Sequence, residues 1–436
     1  MAATDTTIRS DYTAFFKEWY LPVIEQQRNV QCVFMDDQVM QFDREHIAGD
    51  YALIPVEFDS RVGVGARAEN AAMPIPDAGI YDTAKISLAY LFNTFQLSLQ
   101  LLRTSEGDRA AFNPAMVTQV STSMRAWLQD LNRQFLGNQT GWLALMDESS
   151  TDGDSDAKDI DCAWGITNTD LGANGNGDLF IAPNMRINIY NTTTSKRTDG
   201  GANDDGVIRI TAFTRGSGST EATITMDDGG TAADGDFICV NGNRATSADT
   251  CYEINGIQLL VDDGTLATTV EDISSDTRPD WKAHVYYGSS AGTVEALTRA
   301  RMNQPYKDIL KRGGGKVDML FCGVDTEETY LELADSMGMT VNPIKLDVAG
   351  NWEGPGFRGA PVISDPIYPE GRMEYIDFDA LSVYECGKAD WIEGDMGILQ
   401  KVSGYANWVA EYVWLVQFGT GNRSKLGSLR DIELVV

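Results

Sequence analysis

The chain has 436 residues, with 34 basic against 64 acidic side chains, a net charge of −30 and a pI near 4.3. This length suggests two or three domains with cores of their own, and the acidic balance argues against a dominant nucleic-acid-binding surface, which needs clustered Lys and Arg. With two histidines a histidine-rich metal site is excluded, and cysteines 32, 162, 239, 251, 322 and 386 form neither a C-x-x-C pair nor a zinc spacing.

The N-terminus, MAATDTTIRSD, lacks the apolar core of a signal peptide, so cytoplasmic synthesis is expected. In residues 10–20, SDYTAFFKEWY, helical spacing puts Tyr12, Phe15, Phe16, Trp19 and Tyr20 on one face, with Ser10 as N-cap and Pro22 as the stop. Such a stripe is a packing face, or an arm that docks on a neighbouring subunit. Residues 61–82 are rich in Gly, Pro and small side chains. Gly63, Gly65 and Ala68 fit the dinucleotide fingerprint G-x-G-x-x-A, which works only where a helix follows at once. Pro74 and Pro76 oppose that, since proline costs ~3 kcal/mol inside a helix. The stretch reads instead as an extended flap. Its return strand alternates Ile86, Leu88, Tyr90 and Phe92 on one side, then Phe95, Leu97, Leu99 and Leu101 out of phase by one, as a bulge would give.

A long helix is expected over 114–136. Asn113 would cap it, Pro114 suits its first turn and Gly137 ends it. Phe112, Met116, Val120, Met124, Trp127, Leu131 and Phe135 recur every three or four residues, leaving Gln129, Asp130 and Arg133 off the stripe. Residues 147–276 then hold 24 acidic and 7 basic side chains, net −17, with short strand-like pieces (MRINIY, GVIRITAF, EATITM, DFICV). They predict an inserted β domain over 165–265. Cys239 and Cys251 bracket a loop that a disulfide would close under oxidising conditions; two reduced thiols are the alternative. Further on, 293–312 reads as a helix kinked at Pro305, KVDMLFCG as a buried strand, and DTEETYLELADSMG as a helix capped by Asp325 with Glu328 three residues on. NWVAEYVWLVQF is a strand covered on both faces, too short for the ~20 residues a bilayer span needs. Helices and strands mix without a β-α-β rhythm, so the class is α+β.

Catalytic and metal motifs are absent. The acidic run DGDSDAKDID opens like a calcium loop from Asp152, but Ala157 and Ala163 occupy the positions of the EF-hand glycine and glutamate. No G-x-S-x-G, H-E-x-x-H or Walker sequence occurs. No enzyme activity, cofactor or metal site is expected.

The order of these parts resembles the major capsid proteins of tailed double-stranded DNA phages, the Hong Kong 97-like fold. VGVGARAENAAMPIPDAGIYDTAKISLAYLFNTFQLS is similar to the family's extended loop and return strand. DRAAFNPAMVTQVSTSMRAWLQDLNRQFLGNQTG resembles its spine helix, closing on Asn132, Arg133 and Gly137. GTLATTVEDISSDTRPDWKAHV is similar to the segment whose Trp281 packs the peripheral domain, GPGFRGAPVISDPIYPEG to an axial-domain hairpin and GNRSKLGSL to the closing tail. The resemblance implies an N-terminal arm over 1–60, an extended loop over 61–92 and a peripheral domain over 93–164 containing the spine helix. After the insertion, the peripheral domain continues over 266–312, the axial domain spans 313–405, and 406–436 returns to the peripheral domain. It also implies intersubunit contacts by Phe15, Phe16, Trp19, Gly63, Gly65, Arg67, Glu69, Pro74 and Pro76, and spine packing by Met124, Trp127 and Leu131. Copies would close into hexamers and pentamers of a virion shell around double-stranded DNA, assembled in the host cytoplasm with portal and scaffolding proteins and with room for a decoration protein. Some members crosslink the loop through a lysine–asparagine isopeptide. No lysine lies between 61 and 84 here and Lys85 starts the strand, so no crosslink is expected. Two other readings stay open: a cargo-enclosing nanocompartment shell of related fold, and a secreted calcium-dependent hydrolase or adhesin.

Overall fold

The computed structural model describes residues 41–44, 46–59, 63–75, 79–99, 109–149, 157–161, 179–191, 195–197, 207–216, 222–227, 232–245, 251–290, 292–338, 343–345, 353–392, 400–402 and 404–435. The aromatic stretch 10–20, with Phe15, Phe16 and Trp19, lies outside them, as do Pro76 and the acidic residues 152–156.

Strands β1 (Gln41–Asp43) and β2 (Ile47–Ala48) precede a rising strand β3 (Tyr51–Asp59), which returns as β4 (Ile80–Ser87) and continues as β5 (Ala89–Ser98). β2, β3 and β4 form a three-stranded sheet, so the return strand finds its partner within the chain. Side-chain phase changes at Leu88, not after Phe92. Ile86 and Leu88 are buried, then Ala89, Leu91, Phe95 and Leu97, while Tyr90 and Phe92 stand 53% and 60% exposed on the opposite face. The cause is a change of partner, since β4 pairs with β3 but β5 pairs with a late strand. One residue between two ladders inverts the face that follows.

Helix α1 runs Arg109–Leu136, 28 residues or about 42 Å at 1.5 Å per residue. It starts five residues ahead of the expected Pro114, because Arg109, Ala110 and Ala111 are strong helix formers that extend it upstream. Gly137 follows its last turn, and there Gly256 presses so close that a Cβ would lie 2.0 Å from the Gly137 carbonyl oxygen.

Next comes a closed barrel of six strands: β6 (Trp142–Met146), β7 (Ala157–Asp161), β8 (Arg186–Tyr190), β9 (Ile208–Thr214), β10 (Ala222–Met226) and β11 (Phe237–Val240), in spatial order β10-β7-β6-β11-β8-β9. It begins at Trp142 rather than near 165, because β6 and β7 close the ring between β10 and β11. Its interior is its own aliphatic cluster, including Met146, Ile160, Ile187, Ile189, Ile208 and Ile224. Cys239 and Cys251 are free thiols. Burial pushes the Cys251 thiol up to about 12 and raises that of Cys239 too.

The one-turn helix α2 (Ile257–Leu260) leads to the hairpin β12 (Thr269–Val270) and β13 (Ile273–Ser274), then to β14 (His284–Tyr286) and β15 (Glu295–Ala296). Helix α3 (Arg299–Asp308) starts at an N-cap, Thr298, whose hydroxyl accepts from Arg301 N at 3.3 Å. The helix expected from 293 is therefore shorter at its start, and after Pro305 it widens into a π turn, Ile309–Gly313, instead of breaking. β16 (Met319–Cys322) is fully buried. Helix α4 (Val324–Ser336) follows, capped by neither Asp325 nor Glu328. The N-cap is Gly323, and Glu370 accepts from the Thr326 backbone N–H at 3.0 Å and its hydroxyl at 2.9 Å. A Cβ on Gly323 would lie 2.2 Å from that carboxylate, so a distant acid replaces the local cap.

The remaining strands are β17 (Pro343–Lys345), β18 (Glu353–Phe357), β19 (Ala360–Ser364), β20 (Met373–Ile376), β21 (Leu381–Glu385), β22 (Asp390–Trp391), β23 (Gln400–Lys401), β24 (Asn407–Thr420), β25 (Gly427–Leu429) and β26 (Ile432–Glu433). Two larger sheets result. β24 pairs with β5 from Asn407↔Ser98 to Val416↔Ala89 and joins β21, β22 and β23, with β1 beyond β21. The other sheet is ordered β14-β25-β20-β16-β19-β18-β17. Membership differs from the expected segments. Strands 381–401, expected with the axial part, belong to the β24 sheet, and β25 leaves β24 for the second sheet. The largest core lies where α1 covers β24, with Leu131, Phe135, Trp414, Val416 and Phe418.

Candidate assembly surfaces

The base of the flap is anchored. Ala52, Ile86 and Leu88 pack with Tyr384, and Ala84 packs with Ile273 and Trp281, against which Phe58 stands edge-on at 6.0 Å. Trp281, buried, donates its indole N–H to the Val270 carbonyl at 3.1 Å. Lys85 N donates to the Glu271 carbonyl at 2.9 Å, and Arg278 pairs with Asp82 at 3.3 Å. Two small clusters and a few polar ties thus fix the emerging hairpin without covering its far end.

Among the described residues, nothing covers the far end. Between β3 and β4 the chain turns at Ala68–Ala71, with Ala71 N donating to the Ala68 carbonyl at 3.1 Å and Asn70 in the left-handed region at φ 63°. Arg67 Nε reaches the Ala72 carbonyl at 3.2 Å. A Cβ on Gly65 would meet Pro74 Cγ at 3.7 Å, so the two arms run side by side there. Glu69 is exposed and Pro74 half-buried. Gly65 has no positive φ, so glycine freedom is not used there in this conformation. Val64, Met73 and Ile75 are 95%, 87% and 87% exposed, a group of bare apolar side chains on one hairpin of the kind that marks an interaction surface.

The second surface is a groove of about 560 Å³ lined by the first residues of β5, the later half of α1 and barrel residues 241–243 and 251–253. Tyr90, Phe92, Trp127 and Leu131 supply its apolar wall; Asp130, Gln134 and Glu253 supply its polar wall. On α1, Leu131 is buried, Met124 is half-buried within 3.7 Å of Asn93 Nδ2, and Trp127 lies edge-on to Tyr412 at 5.2 Å and tilted on Trp414 at 6.0 Å. The spine residues Met124, Trp127 and Leu131 therefore share one strip against β5 and β24. Tyr252, 55% exposed, rims the groove.

The groove floor is held by a charge network that the apolar stripe gives no sign of. Arg133, expected off the stripe, is 1% exposed; it reaches Asp130 Oδ1 at 2.9 Å and Glu253 Oε2 at 3.1 Å. Burial works against its charge, but Glu253 and Asp130 outweigh that and raise its pKa. Asn243 donates to Glu253 at 2.7 Å, so the same carboxylate holds the barrel loop to the helix. The only sequence-level sign of this site is an Arg one position beyond Asn132 at the end of a long amphipathic helix, which looks like any solvated charge.

Among the described residues no cluster of His, Cys, Asp or Glu could hold a metal, and no helix is long and apolar enough to cross a membrane. No protein-family model and no curated protein matches the sequence. Among solved structures, a chain of the cyanophage A-1(L) capsid asymmetric unit is 13% identical, aligns over 98% of this chain and 99% of its own, and gives a TM-score of 0.58. A chain from the capsid of a native GTA particle is 10% identical over 99% and 100%, with a TM-score of 0.46, and one from Mycobacterium phage Bobi is 8% identical over 97% and 98%, with a TM-score of 0.43. The likeness to the cyanophage chain runs nearly end to end through both molecules, so this protein has the α+β fold of a phage capsid chain.

Proposed function

We propose that the protein is a major capsid protein, whose copies close into hexamers and pentamers of an icosahedral shell around double-stranded DNA. The observation that carries this reading is the end-to-end likeness to a phage capsid chain together with an extended flap whose apolar tip is left uncovered by the other described residues of its own subunit. The flap tip, with Val64, Met73 and Ile75, would lie on a neighbouring copy's groove, where Tyr90, Phe92 and Trp127 offer apolar area. Gly63, Gly65, Arg67, Glu69, Pro74 and Pro76 would form the contact path, and Phe15, Phe16 and Trp19 a second arm. Work of this kind is done by repeated burial and β contact, with no bond made or broken, so the protein would be no enzyme. Portal and scaffolding proteins would complete assembly in the host cytoplasm, and the shell would be part of the virion.

Electron microscopy of the purified protein tests the reading: closed shells or capsomers are expected. Deleting residues 64–80 should leave a folded subunit that no longer makes stable shells. A wild-type protein that stays monomeric at every concentration would overturn the function, and a deletion that assembles into shells of unchanged thermal stability would overturn the role of the flap.

A further inference from the structure

Helices α3 and α4 lie on one face of the seven-stranded sheet, where Phe357 stands edge-on to Tyr306 of α3 and to Tyr330 of α4, each at 6.3 Å. Their exposed charges have opposite sign. α3 and the π turn after it expose Arg299, Lys307, Lys311 and Arg312, and Arg358 from the β18–β19 turn lies 4.8 Å over the Tyr306 ring. α4 exposes Asp325, Glu328, Glu332 and Asp335 and has no basic residue. In a chain of net charge −30, residues 299–316 hold six basic side chains against the single acid Asp308. Arg299, Lys307, Arg358, Glu328, Glu332 and Asp335 make no salt bridge among the described residues.

Folding of one copy does not call for this arrangement. The four acids follow one another at spacings of three and four, where like charges repel. Glu332 and Asp335 also occupy the end of α4 where the helix dipole disfavours anions. An apolar pair of features accompanies the charges. A cleft of about 80 Å³ opens between the helices, lined by Met302, Tyr330, Leu333, Met337 and Phe357, with Arg299 and Arg358 beside it. Leu331 is 43% exposed among Glu328, Glu332 and Asp335. It lies two positions from Leu333, about 200° around the helix, so it faces away from the cleft of its own copy.

We propose that Leu331 and the acidic stripe of α4 on one copy seat on the Arg299–Arg358 cleft of the next copy. Two different patches meeting head to tail generate a ring, and charge complementarity would fix its direction and register. The inference rests on the shell reading and names a contact inside its rings. A nucleic acid would also satisfy the arginines, but phosphates bring no aliphatic group for the cleft and leave the acidic stripe without a role.

Charge reversal tests the pairing in the full-length protein. Arg299→Glu/Arg358→Glu and Glu328→Lys/Asp335→Lys change only exposed side chains, so both variants should melt within a few degrees of wild type. Each alone should lose ring and shell formation by tenfold or more. The chain carrying all four changes should assemble again, and an equimolar mixture of the two variants should form rings of even number only, since the two must alternate. Wild-type assembly by either reversed variant overturns the proposal, as does loss that neither the fourfold chain nor the mixture restores. Normal shells that retain less DNA after the arginine reversal would assign the basic face to nucleic acid and overturn it too. A wild-type protein forming neither rings nor shells would instead bring down the shell reading, and this contact with it.

Discussion

Replacing Arg133 by alanine would strand Glu253 in a site where the two side chains are 2% and 4% exposed. Losing one partner of a buried pair costs roughly 3–5 kcal/mol, because the remaining charge has neither water nor counter-charge. Arg133→Ala should therefore lower subunit stability by that order, and Arg133→Ala/Glu253→Ala should recover part of it; denaturant unfolding of the two variants measures this, and equal losses would mean that the pair is not what holds them. Glu271 poses a different problem. With Asp272 it forms the turn between β12 and β13, both in the left-handed region at φ 55° and 67°. Its Oε1 accepts from Thr420 N at 2.8 Å while Oε2 is buried without a hydrogen-bond partner among the described residues. Burial, offset only in part by the Thr420 bond and the Arg423 charge, raises this carboxyl to about 8 from 4.5. The folded chain thus keeps a proton that the unfolded chain releases, so this group's stabilisation is complete below about pH 4.5 and is lost as pH climbs to about 8. Glu271→Gln should remove that slope, on the order of 1 kcal/mol per pH unit. Parallel stability profiles from pH 5 to 8 for the wild type and the Glu271→Gln variant would refute it.

At the scale of elements, α1 carries the molecule's largest core, and its packing face can be probed at one ring. Trp127 is half-buried against Tyr412 and Trp414, so Trp127→Ala should cost about 2–3 kcal/mol, below the ~3–5 of a fully enclosed ring. Arg125, exposed two positions earlier, is the proper control, and Arg125→Ala should stay within about 0.5 kcal/mol. Gln129 is a poorer one, being half-buried and engaged in contacts of its own. Equal melting temperatures for the Trp127 and Arg125 variants would deny that α1 packs on one face. The helix is legible in sequence because Val120, Met124, Trp127, Leu131 and Phe135 repeat at its own period. Arg133 is not, since its burial depends on Glu253, 120 positions away. Tyr90 and Phe92 lie on the face opposite to the expected one for a related reason. Alternation shows that two faces exist, but which one meets the core depends on where β4's ladder ends and β5's begins.

For the whole molecule, the barrel is where long-range pairing most changes the reading. Its later strands announce themselves as alternating apolar runs, and each is legible. β6, WLALM, follows directly on the turn after α1, and β7, AKDID, is mostly charged, so neither stands out locally as part of a barrel. Only closure against β10 and β11 assigns them to it. Two fragments separate the views. Residues 140–245 contain all six strands and the aliphatic interior, a core that needs nothing from the rest of the chain. Residues 165–265 lack β6 and β7, leave β10 and β11 with open edges, and add Ile254, Ile257, Leu259 and Leu260, whose cover is the distant α1–β24 core. The first fragment should be a soluble monomer with a β-type circular dichroism spectrum and one cooperative melting transition. The second should aggregate or melt without cooperativity. If 165–265 melts cooperatively as a monomer while 140–245 does not, the ring is not closed by β6 and β7, and the barrel is not an autonomous unit set into the capsid fold.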